Sequence, residues 1–76
     1  MFNEQLIDSY PNWEEPVFSI REDNYRVDYK SKQTDRKLGV ELPIKSFETT
    51  DEAQIAALHK SMNICLSDMI GQVENA

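Results

Sequence analysis

The chain has 76 residues, with 14 Asp and Glu against 8 Lys and Arg, one His, one Cys and 39% hydrophobic residues. That length holds one hydrophobic core and no second domain, and a net charge of −6 excludes a protein that simply coats nucleic acid or an anionic membrane. A lone Cys excludes an internal disulfide, one Cys and one His cannot complete a structural zinc site, and neither a run of roughly 20 apolar residues nor a signal-peptide pattern occurs, so the expected compartment is cytoplasmic.

Residues 1–15 form an N-terminal segment. Phe2, Leu6 and Tyr10 have i, i+4 spacing, Asn3 is a candidate cap and Pro11 a stop, which predicts a short helix followed by an extended Asn12-Trp13-Glu14-Glu15. Residues 16–76 read as one β-β-β-α domain. Phe18 and Ile20 mark a short strand, and Glu22-Asp23-Asn24 a tight connection. Tyr25, Val27 and Tyr29 then alternate with Arg26, Asp28 and Lys30, the two-residue period of a strand with one buried face. After a polar stretch from Ser31 to Lys37, Leu38, Val40, Leu42 and Ile44 repeat that period against Gly39, Glu41, Pro43 and Lys45. Pro43 lacks an amide proton and fits an edge, the place of a third strand in a meander.

A helix is expected over about 50–73. Thr49-Thr50-Asp51-Glu52 reads as a capping box, with Thr49 and Glu52 satisfying each other's free amides, and Gly71 is a natural stop. At 100° per residue, Ile55, Leu58, Cys65, Leu66, Met69 and Val73 fall within about 60° of Met62, a continuous apolar face. The expected fold is therefore α+β: a three-stranded antiparallel β-meander packed against one long C-terminal α-helix, preceded by a short helix or extended segment.

Side chains that carry chemistry are few. His59 and Cys65 stand about 120° apart around the helix, so they make no nucleophile–base pair. Cys65 is expected on the buried stripe as a small hydrophobe and His59 at its boundary. With only Gly39 and Gly71 there is no phosphate loop, and no spacing of Asp and Glu indicates a metal. The sequence points to no enzyme, no catalytic residue, no cofactor and no metal.

Three surfaces are candidates for a partner. Arg21, Arg26, Lys30 and Lys45 are expected on the outward sheet face with Asp28 and Glu41, joined by Lys32, Arg36 and Lys37 of the loop. Residues 16–48 hold seven basic and six acidic residues, so the net negative charge lies in the flanking segments. The N-terminal segment sets Phe2, Leu6, Ile7, Tyr10 and Trp13 among Glu4, Asp8, Glu14 and Glu15. Such aromatic residues either anchor an interface or close a small core. On the far face of the helix, Ile64 stands with Ala53 and Ala57, small residues that allow another element, a second copy of the chain among them, to approach closely.

The junction Ile44-Lys45-Ser46-Phe47-Glu48-Thr49-Thr50-Asp51-Glu52-Ala53 resembles the strand-to-helix junction of AP2-like and arm-type β3α DNA-binding domains of phage and transposon tyrosine recombinases, over roughly residues 16–66. That resemblance implies a sheet that enters the major groove through Arg21, Arg26, Lys30 and Lys45. The acidic balance, with Asp28 and Glu41 on the same face, departs from the family. In size, charge and lack of catalytic residues the chain also resembles small phage-encoded inhibitors of host machinery such as restriction enzymes and CRISPR effectors.

The expected function is thus that of a small, non-enzymatic acidic module, monomer or homodimer and not membrane-bound. It binds and modulates or inhibits a larger host protein, one that processes nucleic acid being a fitting target. Phe2, Tyr10, Trp13, Glu14, Glu15, Asp51 and Glu52 are its expected contacts. The alternatives are DNA binding through Arg21, Arg26, Lys30, Lys32, Arg36, Lys37 and Lys45, or a small assembly subunit.

Overall fold

A computed structural model describes residues 2–75; Met1 and Ala76 lie outside the described residues. Strands β1 (Val17–Arg21), β2 (Asn24–Lys30) and β3 (Lys37–Pro43) form an antiparallel sheet in the order β1-β2-β3, and helix α1 (Glu52–Glu74) follows. The α+β meander-and-helix architecture read from periodicity is the one observed. Pairs such as Ile20↔Tyr25 and Tyr25↔Leu42 put Phe18, Ile20, Tyr25, Val27, Tyr29, Leu38, Val40 and Leu42 on one face. Arg26, Asp28, Gly39 and Glu41 take the other, as alternation requires. The β1–β2 turn is two residues long, and Glu22 adopts φ 56°, left-handed backbone that a side chain disfavours.

The N-terminal segment belongs to the same core. Instead of a helix it forms a 3-10 turn at Glu4–Leu6, capped by the Asn3 side chain, which accepts the Gln5 N–H at 3.0 Å. The Phe2–Leu6–Tyr10 helical spacing is therefore not realised: Leu6 is exposed, while the neighbouring Ile7 is buried. Further on, Trp13 bridges Ser31, the Glu14 N–H donates to the Lys30 carbonyl at 2.8 Å, and the Lys32 N–H donates to that of Asn12 at 3.0 Å. Between this bridge and the Val17↔Asp28 pair the first strand carries one extra residue. Such a bulge tolerates Pro16, which has no amide proton to offer a ladder.

Three boundaries differ from the sequence reading. β3 ends at Pro43, and Ile44–Phe47 is a 3-10 turn, so Lys45 leaves the sheet and stands exposed on that turn. The helix cap is Asp51, whose carboxylate accepts the N–H groups of Ala53 and Gln54; Thr49 caps the Asp51 N–H instead. A carboxylate at this position meets both the free amides and the positive end of the helix dipole. Gly71 does not stop the helix, which continues to Glu74. Its φ is ordinary and nothing lies within 4 Å of where a Cβ would stand, so the fold itself does not require glycine there, at a cost of about 1 kcal/mol relative to Ala.

The core consists of Ile7, Trp13, Val27, Tyr29, Phe47, Met62, Leu66 and Ile70, with His59 the buried polar residue. On the helix, residues 59, 62, 66 and 70 lie at about 60, 0, 40 and 80° from the direction of Met62. The buried face is therefore turned by about 45° from the one centred on Met62. His59, expected at the boundary, is only 2% exposed, and Cys65, expected in the stripe, is exposed. The N-terminal segment is the cause, since it lies against one flank of the helix and covers it.

Polar contacts hold that segment in place. The Asn3 N–H donates to His59 Nε2 at 2.8 Å, and His59 Nδ1 lies 2.7 Å from the Ile55 carbonyl. With Nε2 accepting, the ring carries its proton on Nδ1. Asn63 accepts the Asp8 N–H at 3.0 Å and donates to the Leu6 carbonyl at 2.9 Å. Tyr29 donates its hydroxyl to the Asp8 carbonyl, and the Trp13 indole N–H donates to Glu74 Oε1 at 3.1 Å. Phe2 stacks on Tyr25 with centroids 4.7 Å apart and meets Phe47 edge-on at 5.5 Å.

Candidate functional site

The residues expected to bind a protein do not share one surface. Trp13, at 3% exposure, is a core residue. Phe2 and Tyr10 are half-buried, Phe2 in its aromatic cluster and Tyr10 edge-on to Tyr29 at 5.6 Å. These side chains complete the core rather than standing ready as free anchors. Asp51 is committed to the helix cap, and Glu52 opens the first turn. Glu14 and Glu15 are exposed where the chain enters β1, beside Lys30, while the helix start adjoins Tyr25, Ile44 and Phe47. A helix of 23 residues, about 35 Å long, carries the chain back from that end to Trp13, where Glu74 ends it. The two acidic pairs therefore stand at opposite ends of the domain.

The basic set is likewise divided. Arg26 holds Asp28 at 2.8 Å and Glu41 at 2.7 Å, and Asn24 holds the second oxygen of Glu41 at 3.2 Å. The hydrogen bonds it donates to both carboxylates, Asp28 foremost, raise its pKa further and keep the guanidinium charged. Gly39 sits opposite Asp28 in the register, and its missing side chain makes room for this network: a Cβ there would come within 2.5 Å of Asp28 Oδ1. Lys30 and Lys37 are register partners, with Glu14 and Glu15 lining the same shallow groove. Arg21 stands exposed at the end of β1, and Lys32 and Arg36 stand exposed in the loop.

The most exposed apolar side chains lie elsewhere, on the two faces of β1. Ile20 is 65% exposed and Val17 62%. Ile20 is on the inward face by register, yet the helix packs against β3 and the Ile44–Phe47 turn rather than over β1. Phe2 and Glu4 line a shallow pocket with Phe18, Ser19 and Ile20. Among the described residues no strand pairs with the outer edge of β1. Glu14 and Glu15 precede this strand, and Glu22 and Asp23 follow it, all exposed. An edge strand with two exposed β-branched side chains is a template for another extended segment.

Sequence reasoning placed an edge at β3, from Pro43, and passed over β1. A three-stranded meander has two edges, so the signal for β1 was available; which edge the helix shields was not. Among the described residues no helix is long and apolar enough to cross a membrane, and no cluster of His, Cys, Asp and Glu has the arrangement of a metal site. The fold and this edge define a small α+β protein with an open strand. Comparison with protein-family models, curated proteins and solved structures gave no match.

Proposed function

We propose that the chain is a non-enzymatic binding module that docks on a larger protein through the outer edge of β1. The observation that carries this reading is the exposure of Val17 and Ile20 on an edge strand, open on its outer side and bounded by Glu14, Glu15, Glu22 and Asp23. The edge offers backbone hydrogen bonds and two apolar contacts, and the carboxylates at both ends select a basic partner. In β-strand addition the main chain supplies affinity and alternate side chains supply specificity. Rim charges mainly set the association rate.

A basic partner surface that normally holds nucleic acid meets these requirements, and occupying it would inhibit its owner, the role of the phage-encoded inhibitors the chain resembles. Duplex DNA binding through the sheet is less well supported, because Arg26 is already paired with two carboxylates on the face that would meet phosphates.

Affinity capture from nuclease-treated bacterial lysate tests the reading. A stoichiometric protein should be retained by the wild type and by Lys32→Ala, and lost with the double variant Val17→Lys/Ile20→Lys. A partner retained by the double variant refutes the edge assignment, and recovery of nucleic acid in place of protein refutes the function.

A further inference from the structure

Helix α1 turns a second face to solvent, opposite the buried one. At its centre is Ile64, 53% exposed, with Ala53, Ala57, Lys60 and Asp68 also exposed and Gly71 half-buried. From Ala53 through Ala57, Lys60, Ile64 and Asp68 to Gly71, the steps are four, three, four, four and three. At 100° per residue all six lie within about 40° of Ile64, the spacing of a helix–helix seam.

The seam is self-complementary in one orientation. Lys60 and Asp68 stand four residues on either side of Ile64, and Ala57 and Gly71 stand seven. A two-fold axis through Ile64, perpendicular to the helix, brings an antiparallel second copy into register. Ile64 then meets Ile64, Lys60 meets Asp68 of the second copy, and Ala57 meets Gly71. A parallel pair would instead set Lys60 against Lys60 and Asp68 against Asp68. The antiparallel arrangement also opposes the two helix dipoles.

Gly71 also stands out within the seam for its environment. It lies inside the helix with ordinary φ and open space where a Cβ would be, so neither backbone conformation nor packing within the domain accounts for it. Glycine is used where another backbone must come close. Leu6, 47% exposed, lines a groove with Ala56 and Ile64, adding an apolar flank to the seam.

We propose that this face is the contact for a second copy of the chain, paired antiparallel about Ile64. The pairing uses a surface separate from β1 and stands independently of the function proposed above.

Sedimentation equilibrium over a range of concentrations should show the 8.8 kDa chain associating to twice its mass. Lys60→Asp or Asp68→Lys alone sets like charges together and should weaken association at least about tenfold. The double variant Lys60→Asp/Asp68→Lys restores opposite charges in the antiparallel register only, and should return affinity to within about threefold of wild type. Gly71→Leu, whose Cβ would find open space, should block the dimer with the circular dichroism and melting of a folded monomer. A monomeric wild type at hundreds of micromolar overturns the proposal. So does a dimer that tolerates Gly71→Leu, one that the double charge swap fails to restore, or one that dissociates only with Val17→Lys/Ile20→Lys.

Discussion

Replacing Gly39 and Gly71 by alanine adds the same methyl group to two backbones of ordinary conformation, and the structure assigns the two changes opposite signs. At Gly39 the new Cβ would lie 2.5 Å from Asp28 Oδ1, 2.8 Å from the Val27 carbonyl oxygen and 3.1 Å from Arg26 Nη2. The carboxylate can swing away, at the expense of its contact with Arg26. The carbonyl belongs to the central strand and cannot move without disturbing the ladder. Overpacking of this kind costs about 1–3 kcal/mol, and displacing the solvent-screened Asp28–Arg26 pair adds little to that. Gly71→Ala meets nothing and gains helix propensity, so the monomer should be stabilised by about 0.5–1 kcal/mol. In a domain of this size 1 kcal/mol moves the melting temperature by about 4–8 °C. Urea and thermal unfolding of both variants, at concentrations low enough to keep the chain monomeric, should therefore give shifts of opposite direction. Adding Asp28→Ala to Gly39→Ala should recover only a minor part of the loss, because the Val27 carbonyl stays in place. A neutral or stabilising Gly39→Ala, or full recovery in the double variant, would refute the close approach of β2 and β3 on which this reasoning depends.

Trp13→Ala removes a buried indole and should cost about 3–5 kcal/mol, whereas Glu14→Ala should stay within about 0.5 kcal/mol; equal effects in urea unfolding would remove Trp13 from the core. The hydroxyls of Tyr29 and Tyr10 are held above the ordinary phenol value of 10.0, chiefly by burial, with the charge of Asp8 adding to both. Above pH 10 the unfolded chain thus releases these protons first, so stability that is complete below pH 10 falls as the pH rises. Tyr29→Phe should flatten that alkaline decline in unfolding titrations, and an unchanged slope would contradict the burial of its hydroxyl. Cys65 should react with a thiol reagent in the folded protein, since it faces solvent; reaction only upon unfolding would show that the helix is rotated toward the Met62-centred face.

The candidate sites combine features of different legibility. The Glu14 and Glu15 flank and the Ala53, Ala57 and Ile64 face follow from composition and helical spacing, which are local. The exposure of Ile20 does not, because it depends on the helix crossing β3 and leaving β1 bare. Arg26 shows the same limit from the other side. Alternation alone puts it outward beside Asp28, two residues along the same strand, but its pairing with Glu41 depends on the β2–β3 register.

By itself the sequence determined the three strands, the helix, their order and the inward set Tyr25, Val27, Tyr29, because each rests on a period of two or 3.6 residues repeated along one segment. Tertiary structure decided the remainder. Whether Trp13 anchors a partner or fills the core depends on Glu74 and Ser31, far away in the chain. Which flank of the helix is buried depends on the N-terminal segment, which offers Asn3 to His59 and Leu6 and Asp8 to Asn63. A hydrophobic stripe averaged over one helix locates its apolar side chains but not the neighbours that cover them. Burial is a property of the pair of surfaces, and only the folded chain supplies the second one.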